Sequence, residues 1–487
     1  MRSKITFSIL AAVTLCRFGG PVSHATAETR YLVFQVWPAQ PGYPGIQPLP
    51  GRLSLSKAQM AGFIREVAGA IGTKGNPQHK LGFAVGPFSF DVPDDETRQW
   101  IRDAFAVALE NDVAVAIHID DSMSWGTRKD LLATLQNIET ADWRQIPNKA
   151  RSLQWGPKPT AFPPQMCYNA PAIVAAAKAR ARLIGEEIAR GLAILKAQGK
   201  AHLFACVIAG SETQISPEFG TNRPLGFRAL AHRGFSEANP PKDPDAERVS
   251  VVKEWMELWG NSLREGGVPR DKIFCHIAFT DQGLRKPDAN TTYLQRIGFA
   301  PAEVAFSSAY GPGFTTYPEG DTFKQIHAVI TAHGSPRWIS AEGTNVSPTG
   351  MPGEPTMESY LAKIFNHGGV LANIFSWGIG GEAQRHKNFF RKATENPEAL
   401  AAYAKFLRGE QLHESTAPAF QVAFREKISR IQAALPAWLD KAGPAEKQQL
   451  HTRMKNLDTL IKTRRWTEAD SAADEILSIV CGNNTMR

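Results

Sequence analysis

Cysteine is scarce in this chain, with five in 487 residues. Cys16 lies in an N-terminal apolar run. Cys167, Cys206, Cys275 and Cys481 show no metal-ligand spacing, which excludes the structural zinc patterns. Cys206 and Cys275 sit inside strand-like apolar runs and are expected as buried free thiols rather than as a disulfide. A bridge through Cys167 stays open in an oxidising compartment. No Lys/Arg cluster is interleaved with aromatics, so the formal net charge of +8 reads as a mildly basic surface and not as a nucleic-acid footprint. No His-x3-5-His pair stands in a ligating context, and no metal is expected. No glycine-rich loop follows the first apolar strand: Trp37-Pro38-Ala39-Gln40-Pro41-Gly42-Tyr43 is a poor phosphate cradle, and no organic cofactor is implied. After the N-terminal run, no apolar stretch is long enough to span a bilayer, so no membrane insertion is expected.

That N-terminal run has its own meaning. Arg2 and Lys4 precede the short apolar segment Ile5 to Leu15, and Ala25-Thr26-Ala27 is a small-residue cleavage site. Residues 1–27 therefore read as a secretory signal, too short to remain as an anchor. The expectation is an exported soluble protein, periplasmic or secreted. Its mature chain would have 487 − 27 = 460 residues and a charge of 8 − 3 = +5, since Arg2, Lys4 and Arg17 would be removed. That length suits one large domain with a small appendage.

Short apolar runs alternate with amphipathic helical patterns. The candidate strands are Tyr31–Trp37, Leu81–Gly86, Val113–Ile119, His202–Ala209, Lys272–Phe279, Val304–Ala309, Trp338–Ala341 and Val370–Ser376. They are apolar almost throughout, as parallel strands buried on both faces must be. Helical stripes lie between them: Met60, Phe63, Ile64, Val67 and Ile71 behind a Ser56 N-cap form one, and Val252, Trp255, Trp259 and Leu263 another. Eight such units predict a (β/α)8 TIM barrel over residues 28–410. Strands stop there, and three apolar-striped helical segments over 411–487 predict a small C-terminal helical appendage. Two long segments, Asp121–Ala170 and Ser211–Pro244, follow strand ends, where barrel enzymes build their sites.

Two glutamates stand just past apolar strands: Glu212 in Ala209-Gly210-Ser211-Glu212-Thr213, and Glu342 in Ser340-Ala341-Glu342-Gly343. A carboxylate at that depth is costly unless paired or used. Glycosidic bond cleavage needs such a pair, one carboxyl to protonate the leaving oxygen and one to attack carbon or activate water. Around them, His118, Asp120 and Asp121 end the third strand and suit sugar hydroxyls or a capped loop. His276 lies in the fifth. Gln35 and Trp37 end the first, and Trp37, Tyr310 and Trp377 offer flat faces for a pyranose ring.

The order of these elements resembles the clan A retaining glycoside hydrolases, with glutamates after strands four and seven. The resemblance spans residues 30–395. It implies that Glu212 is the acid/base, Glu342 the nucleophile, Tyr310 a hydrogen-bond donor to the nucleophile and Trp377 a sugar platform, with a carbohydrate as the substrate. Ser211 departs from it, since the clan usually places Asn there to bind the sugar 2-hydroxyl. Ala209-Gly210-Ser211-Glu212 also resembles a stretch of the inverting β-amylases. A barrel that binds carbohydrate without catalysis is the remaining alternative.

Overall fold

The computed structural model describes residues 28–39, 45–153, 160–278, 302–316, 322–345, 356–375, 396–415 and 419–482. Eight parallel strands form its centre: β1 (Arg30–Val36), β2 (His79–Val85), β3 (Ala114–Ile119), β6 (Phe204–Ala209), β7 (Ile273–Cys275), β8 (Gly313–Thr315), β9 (Trp338–Thr344) and β10 (Gly369–Phe375). The remaining two, β4 (Arg151–Leu153) and β5 (Thr160–Phe162), make a separate antiparallel hairpin. The sheet runs β7-β6-β3-β2-β1-β10-β9-β8. Its ends meet: Cys275 N–H donates to Gly311 O and Ile277 N–H to Gly313 O, both at 2.9 Å. The seam between β7 and β8 is thereby bridged, and the sheet forms a nearly closed barrel.

Side-chain alternation divides the apolar residues into two clusters. Tyr31, Val33, Ala114, Ala116, Cys206, Ile208, Phe274, Ile339 and Ala341 fill the barrel interior. Leu32, Phe34, Val36, Phe83, Val115, Ile117 and Val207 point outward, under the helices. Those helices form where their sequence starts and stops them. α1 (Lys57–Ile71) opens on a Ser56–Gln59 capping box and closes on a left-handed Gly72. α2 (Asp94–Asn111) carries Asp94, Asp95 and Glu96 in its first turn, against the helix dipole. α3 (Pro244–Glu265) begins on an Asp243 cap and buries Trp255 and Trp259.

One strand lies elsewhere than the sequence suggests. Val304–Ala309 is not a strand: Ala302–Ala305 is a 3-10 turn, and the sixth barrel strand is the short β8 that follows. The apolar side chains of Val304 and Ala305 are satisfied by packing into the outer cluster instead. Strand nine runs further than expected, to Thr344, so that Glu342 lies within it.

Helix Pro397–Leu407 still packs on the barrel, through Ala399, Ala402, Tyr403, Phe406 and Leu407. The three helices beyond it, Ala419–Lys441, Pro444–Lys462 and Trp466–Cys481, bury Leu450, Leu457, Trp466, Ala473 and Ile476 in a cluster of their own. Among the described residues no helix is long and apolar enough to cross a membrane. Cys167, Cys206 and Cys275 are buried free thiols. Two separate cores predict two separable unfolding events. In scanning calorimetry Ile476→Ala should lower one transition and Phe83→Ala the other, each by about 2–5 kcal/mol of local stability. A single transition displaced by both substitutions would contradict it.

Candidate active site

β6 leaves the barrel through Gly210-Ser211-Glu212-Thr213. Gly210 has φ 114° and Glu212 has φ 52°. A Cβ at position 210 would meet Thr213 Oγ1 at 2.7 Å, so the turn needs glycine there. A glutamate in the left-handed region costs roughly 1–3 kcal/mol and persists only where its surroundings hold it. Buried Asp121 supplies that hold. Its carboxylate accepts from Thr213 Oγ1 at 2.7 Å, from Trp255 Nε1 at 2.9 Å and from the Ser211 N–H at 3.3 Å. Burial raises the Asp121 pKa, and these donors oppose the rise. Asp120 accepts from the backbone N–H groups of Ser122, Met123 and Ser124. Both aspartates, expected to meet sugar hydroxyls, hold the loops beside the glutamate.

Glu342 reaches the interior by a different device. Ile339 and Ala341 already point inward, so an unbroken strand would turn Glu342 outward. Both neighbours of β9 show an irregularity at this point. On β10, Ala372 pairs with Ser340 and Ile374 with Gly343; on β8, Phe314 pairs with Ser340 and Thr315 with Glu342. The extra residue is a β-bulge, and it re-aims the carboxyl into the barrel. Asn373 secures it, its Nδ2 donating to Ala341 O at 2.9 Å and to Gln35 Oε1 at 3.0 Å. Gly343 completes it, because a Cβ there would meet the Tyr360 hydroxyl at 2.1 Å.

The remaining interior groups form a neutral polar belt. His118 Nδ1 lies 3.1 Å from Gln35 Oε1, and that oxygen already accepts from Asn373, so Nδ1 carries the proton. The His118 ring lies 5.5 Å from that of His276 and 6.0 Å from the Trp37 indole. His276 Nε2 lies 2.9 Å from Thr315 Oγ1, which donates to Glu212 Oε1 at 3.0 Å. Burial lowers the pKa of both imidazoles, His118 to about 4 and His276 well below its ordinary value. The Trp37 indole N–H, His118 Nε2 and His276 Nδ1 are buried without a well-aligned hydrogen bond among the described residues, and the Gly210 backbone is the nearby polar group for both imidazoles.

The two glutamates meet across this belt. Glu212, His276 and Glu342 each present one oxygen or nitrogen, all within 4.8 Å of one another. Three such donors at this spacing are also within reach of one divalent cation. Burial, followed by the neighbouring charge of Glu212, raises the Glu342 pKa well above the ordinary carboxyl range. Glu212 is buried, while the Glu342 side chain keeps 19% exposure.

Glu212, Glu342, His118, His276, Trp37 and Ser211 are therefore brought to one end of the barrel. Tyr310 is not among them. It precedes β8 instead of following it, and its hydroxyl donates to Val304 O at 2.7 Å. With Arg270, Phe274 and Arg337 it lines a cleft of about 300 Å³ at the opposite, N-terminal end of the strands. Trp377 lies outside the described residues. The sequence reading missed Thr315 and Asn373 as site residues.

The two long loops flank the site as one unit. Tyr168 donates to Gln214 O, Gln165 Oε1 accepts from Ser216 N–H, and Asn169 donates to Ala229 O. At their junction buried Glu139 accepts from the N–H groups of Thr140, Arg228 and Ala229.

Neither a protein-family profile nor a curated protein matches the chain. Solved structures share a loose likeness. The catalytic domain of a β-amylase from Paenibacillus polymyxa aligns at 10% identity over 79% of this chain and 98% of that one, with a TM-score of 0.46. A glycoside hydrolase family 5 enzyme from Prevotella bryantii B14 aligns at 10% identity over 79% and 96%, with a TM-score of 0.36. An endo-β-1,4-mannanase from Thermotoga petrophila aligns at 11% identity over 80% and 79%, with a TM-score of 0.40. Overlays this loose carry no argument about activity.

Burial pushes the Glu139 pKa up to about 7. The folded protein thus holds a proton that the unfolded chain releases near the ordinary carboxyl pKa of about 4.3. This group's contribution to stability is present in full below that value and is lost as pH rises towards 7, by roughly 1.4 kcal/mol per pH unit. Denaturant midpoints across this range should fall less steeply with pH for Glu139→Gln than for the wild type. Parallel profiles would show that Glu139 ionises normally.

Proposed function

We propose that this chain is a glycoside hydrolase that cleaves an extracellular oligo- or polysaccharide with retention of configuration, using Glu212 and Glu342. The observation that carries the reading is the approach of the two carboxyl groups, an oxygen of each within 4.8 Å at the mouth of a barrel. Retaining enzymes hold their carboxyls about 5–5.5 Å apart, and inverting enzymes about 6.5–9.5 Å apart to admit a water. The short approach supports the first geometry over a β-amylase-like one.

The surroundings support a hydroxyl-rich ligand. Buried polar atoms without a well-aligned hydrogen bond cost roughly 1–3 kcal/mol each, and three of them lie around the mouth, on Trp37, His118 and His276. Sugar hydroxyls both donate and accept, so one ligand can satisfy the indole N–H and the imidazole nitrogens together. The Trp37 ring gives the apolar faces of a pyranose a surface to pack on. The N-terminal signal pattern supports export, which would place the enzyme with extracellular carbohydrate.

A panel of chromogenic aryl glycosides and polysaccharides tests the proposal, with proton NMR of the first-formed sugar reading the configuration. The expected result is hydrolysis with retention. Glu212→Gln and Glu342→Gln should each lower turnover at least about a hundredfold, since general acid–base catalysis alone contributes ~10²–10⁴. Turnover unchanged in either variant would remove that residue from the mechanism. A wild-type protein that binds sugars and cleaves none would make the barrel a binding module.

A further inference from the structure

Three acceptors from three different strands converge at the mouth: Glu212 after β6, His276 after β7 and Glu342 in β9. Thr315 Oγ1 lies 2.9 Å from His276 Nε2 and 3.0 Å from Glu212 Oε1, and a hydroxyl has one hydrogen to give. The Gly210 backbone lies against the His276 ring and favours a hydrogen there. Nε2 faces Thr315, so the nitrogen beside Gly210 is Nδ1, poorly aligned though that contact is. With the ring hydrogen on Nδ1, the lone pair is left on Nε2, and Glu342 Oε2 stands 3.8 Å from that nitrogen. No lysine or arginine pairs with Glu342 among the described residues. Two carboxyl oxygens and one imidazole nitrogen therefore face one another, and such a group of acceptors attracts a positive charge.

The spacing fits a metal ion. An oxygen of each glutamate and a nitrogen of His276 lie within 4.8 Å of one another. Zinc bonds of about 2.0–2.2 Å place two tetrahedral ligands roughly 3.4 Å apart. His276 and Glu342 already stand at 3.8 Å, and a swing of roughly 1–1.5 Å in a flexible glutamate closes even the widest gap. The donor types agree. An imidazole with two carboxylates suits Zn²⁺ better than Mg²⁺ or Ca²⁺, which prefer oxygen throughout. A ligating imidazole commonly gives its other N–H to a backbone carbonyl, which fixes the ring, and Gly210 stands in that place. A cation on Nε2 also resolves the competition for Thr315, whose one hydrogen then goes to Glu212. Two buried carboxylates that repel each other become a neutral unit with one divalent ion between them. The Glu342 side chain keeps 19% exposure, so an ion can enter and a water can fill the fourth position. Sequence spacing gives no sign of such a site, because its ligands come from three strands and not from one helix or loop.

We propose that the mouth of the barrel is a Zn²⁺ site formed by Glu212, His276 and Glu342. Its consequence for activity rests on the glycosidase reading above: the ion and a sugar compete for the same two carboxyl groups, so Zn²⁺ is a reversible inhibitor. While the ion is held, neither carboxyl is available to protonate a leaving oxygen or to attack carbon.

Equilibrium dialysis of the chelator-treated protein against ZnCl2 reads the site without any substrate. The expected result is one tightly held Zn²⁺ per chain that a large excess of Mg²⁺ or Ca²⁺ does not displace. Glu212→Gln and Glu342→Gln, which preserve side-chain shape, and His276→Phe should each weaken binding about a hundredfold or more, since even an outer group of a metal site is worth about 10–100-fold. Circular dichroism confirms that each variant is folded. Co²⁺ in place of Zn²⁺ gives a visible spectrum characteristic of four-coordination, and the same variants should abolish it. An ion held equally by wild type and variants lies elsewhere and overturns the proposal, as does the absence of binding. With a glycoside that the wild-type enzyme hydrolyses, Zn²⁺ should raise KM, leave kcat unchanged and be reversed by EDTA. Binding at the three ligands without inhibition overturns the competition. Hydrolysis that requires Zn²⁺ overturns the two-carboxylate mechanism and leaves the metal site standing. If no glycoside is hydrolysed, the glycosidase reading falls, and dialysis alone decides the metal site.

Discussion

Two carboxyl groups within 4.8 Å of each other, taken largely out of water, form an unfavourable pairing at the mouth of this barrel. Each is desolvated, and the charge on one opposes a charge on the other. A structure that maintains this must fix both side chains against relaxation, or they would turn apart into solvent. The local geometry around them follows from that demand. β6 ends in a turn with two positive-φ residues, Gly210 and Glu212, and β9 carries an extra residue recorded by both of its neighbours. Neither irregularity is needed to close a barrel.

The two devices differ in how they are held. The β6 turn is braced from the end of β3, through the Asp121 carboxylate, which gathers donors from the turn and from Trp255 on α3. The bulge in β9 is braced from β10 and β1, through the Asn373 amide and Gln35. A buried carboxylate and a buried amide thus hold the two glutamates from opposite directions. The His118–His276–Thr315 series joins the braces across the mouth. Losing a brace would leave the barrel largely intact and displace a glutamate by a fraction of an ångström to an ångström, enough to spoil chemistry.

Sequence made the barrel legible because seven of its strands are apolar runs buried on both sides. The sixth was not, for a physical reason. Gly313-Phe314-Thr315 is three residues long, and its inward positions are occupied by a glycine and by a threonine that meets Glu212. The more hydrophobic Val304–Ala309 outcompeted it in the reading while packing as a turn in the outer layer. Tyr310 followed that displaced strand to the wrong end of the barrel. The glutamates were legible as polar residues at strand ends, but the bulge has no sequence signature beyond Gly343. Asn373 had a detectable signal: it is the polar residue in an otherwise apolar strand, the same pattern that singled out His118.

The belt between the braces is built from groups that stay neutral. Burial lowers the pKa of His118 to about 4 and that of His276 well below its ordinary value. The amides of Gln35 and Asn373 and the hydroxyl of Thr315 do not titrate in the physiological range. An arginine in this place would have paired with one glutamate and fixed its charge, at the cost of desolvating a cation. A neutral belt instead surrounds the pair with hydrogen-bonding dipoles that carry no net charge. On the two-carboxylate reading, the charge balance of such a site is set by the two groups that exchange the proton.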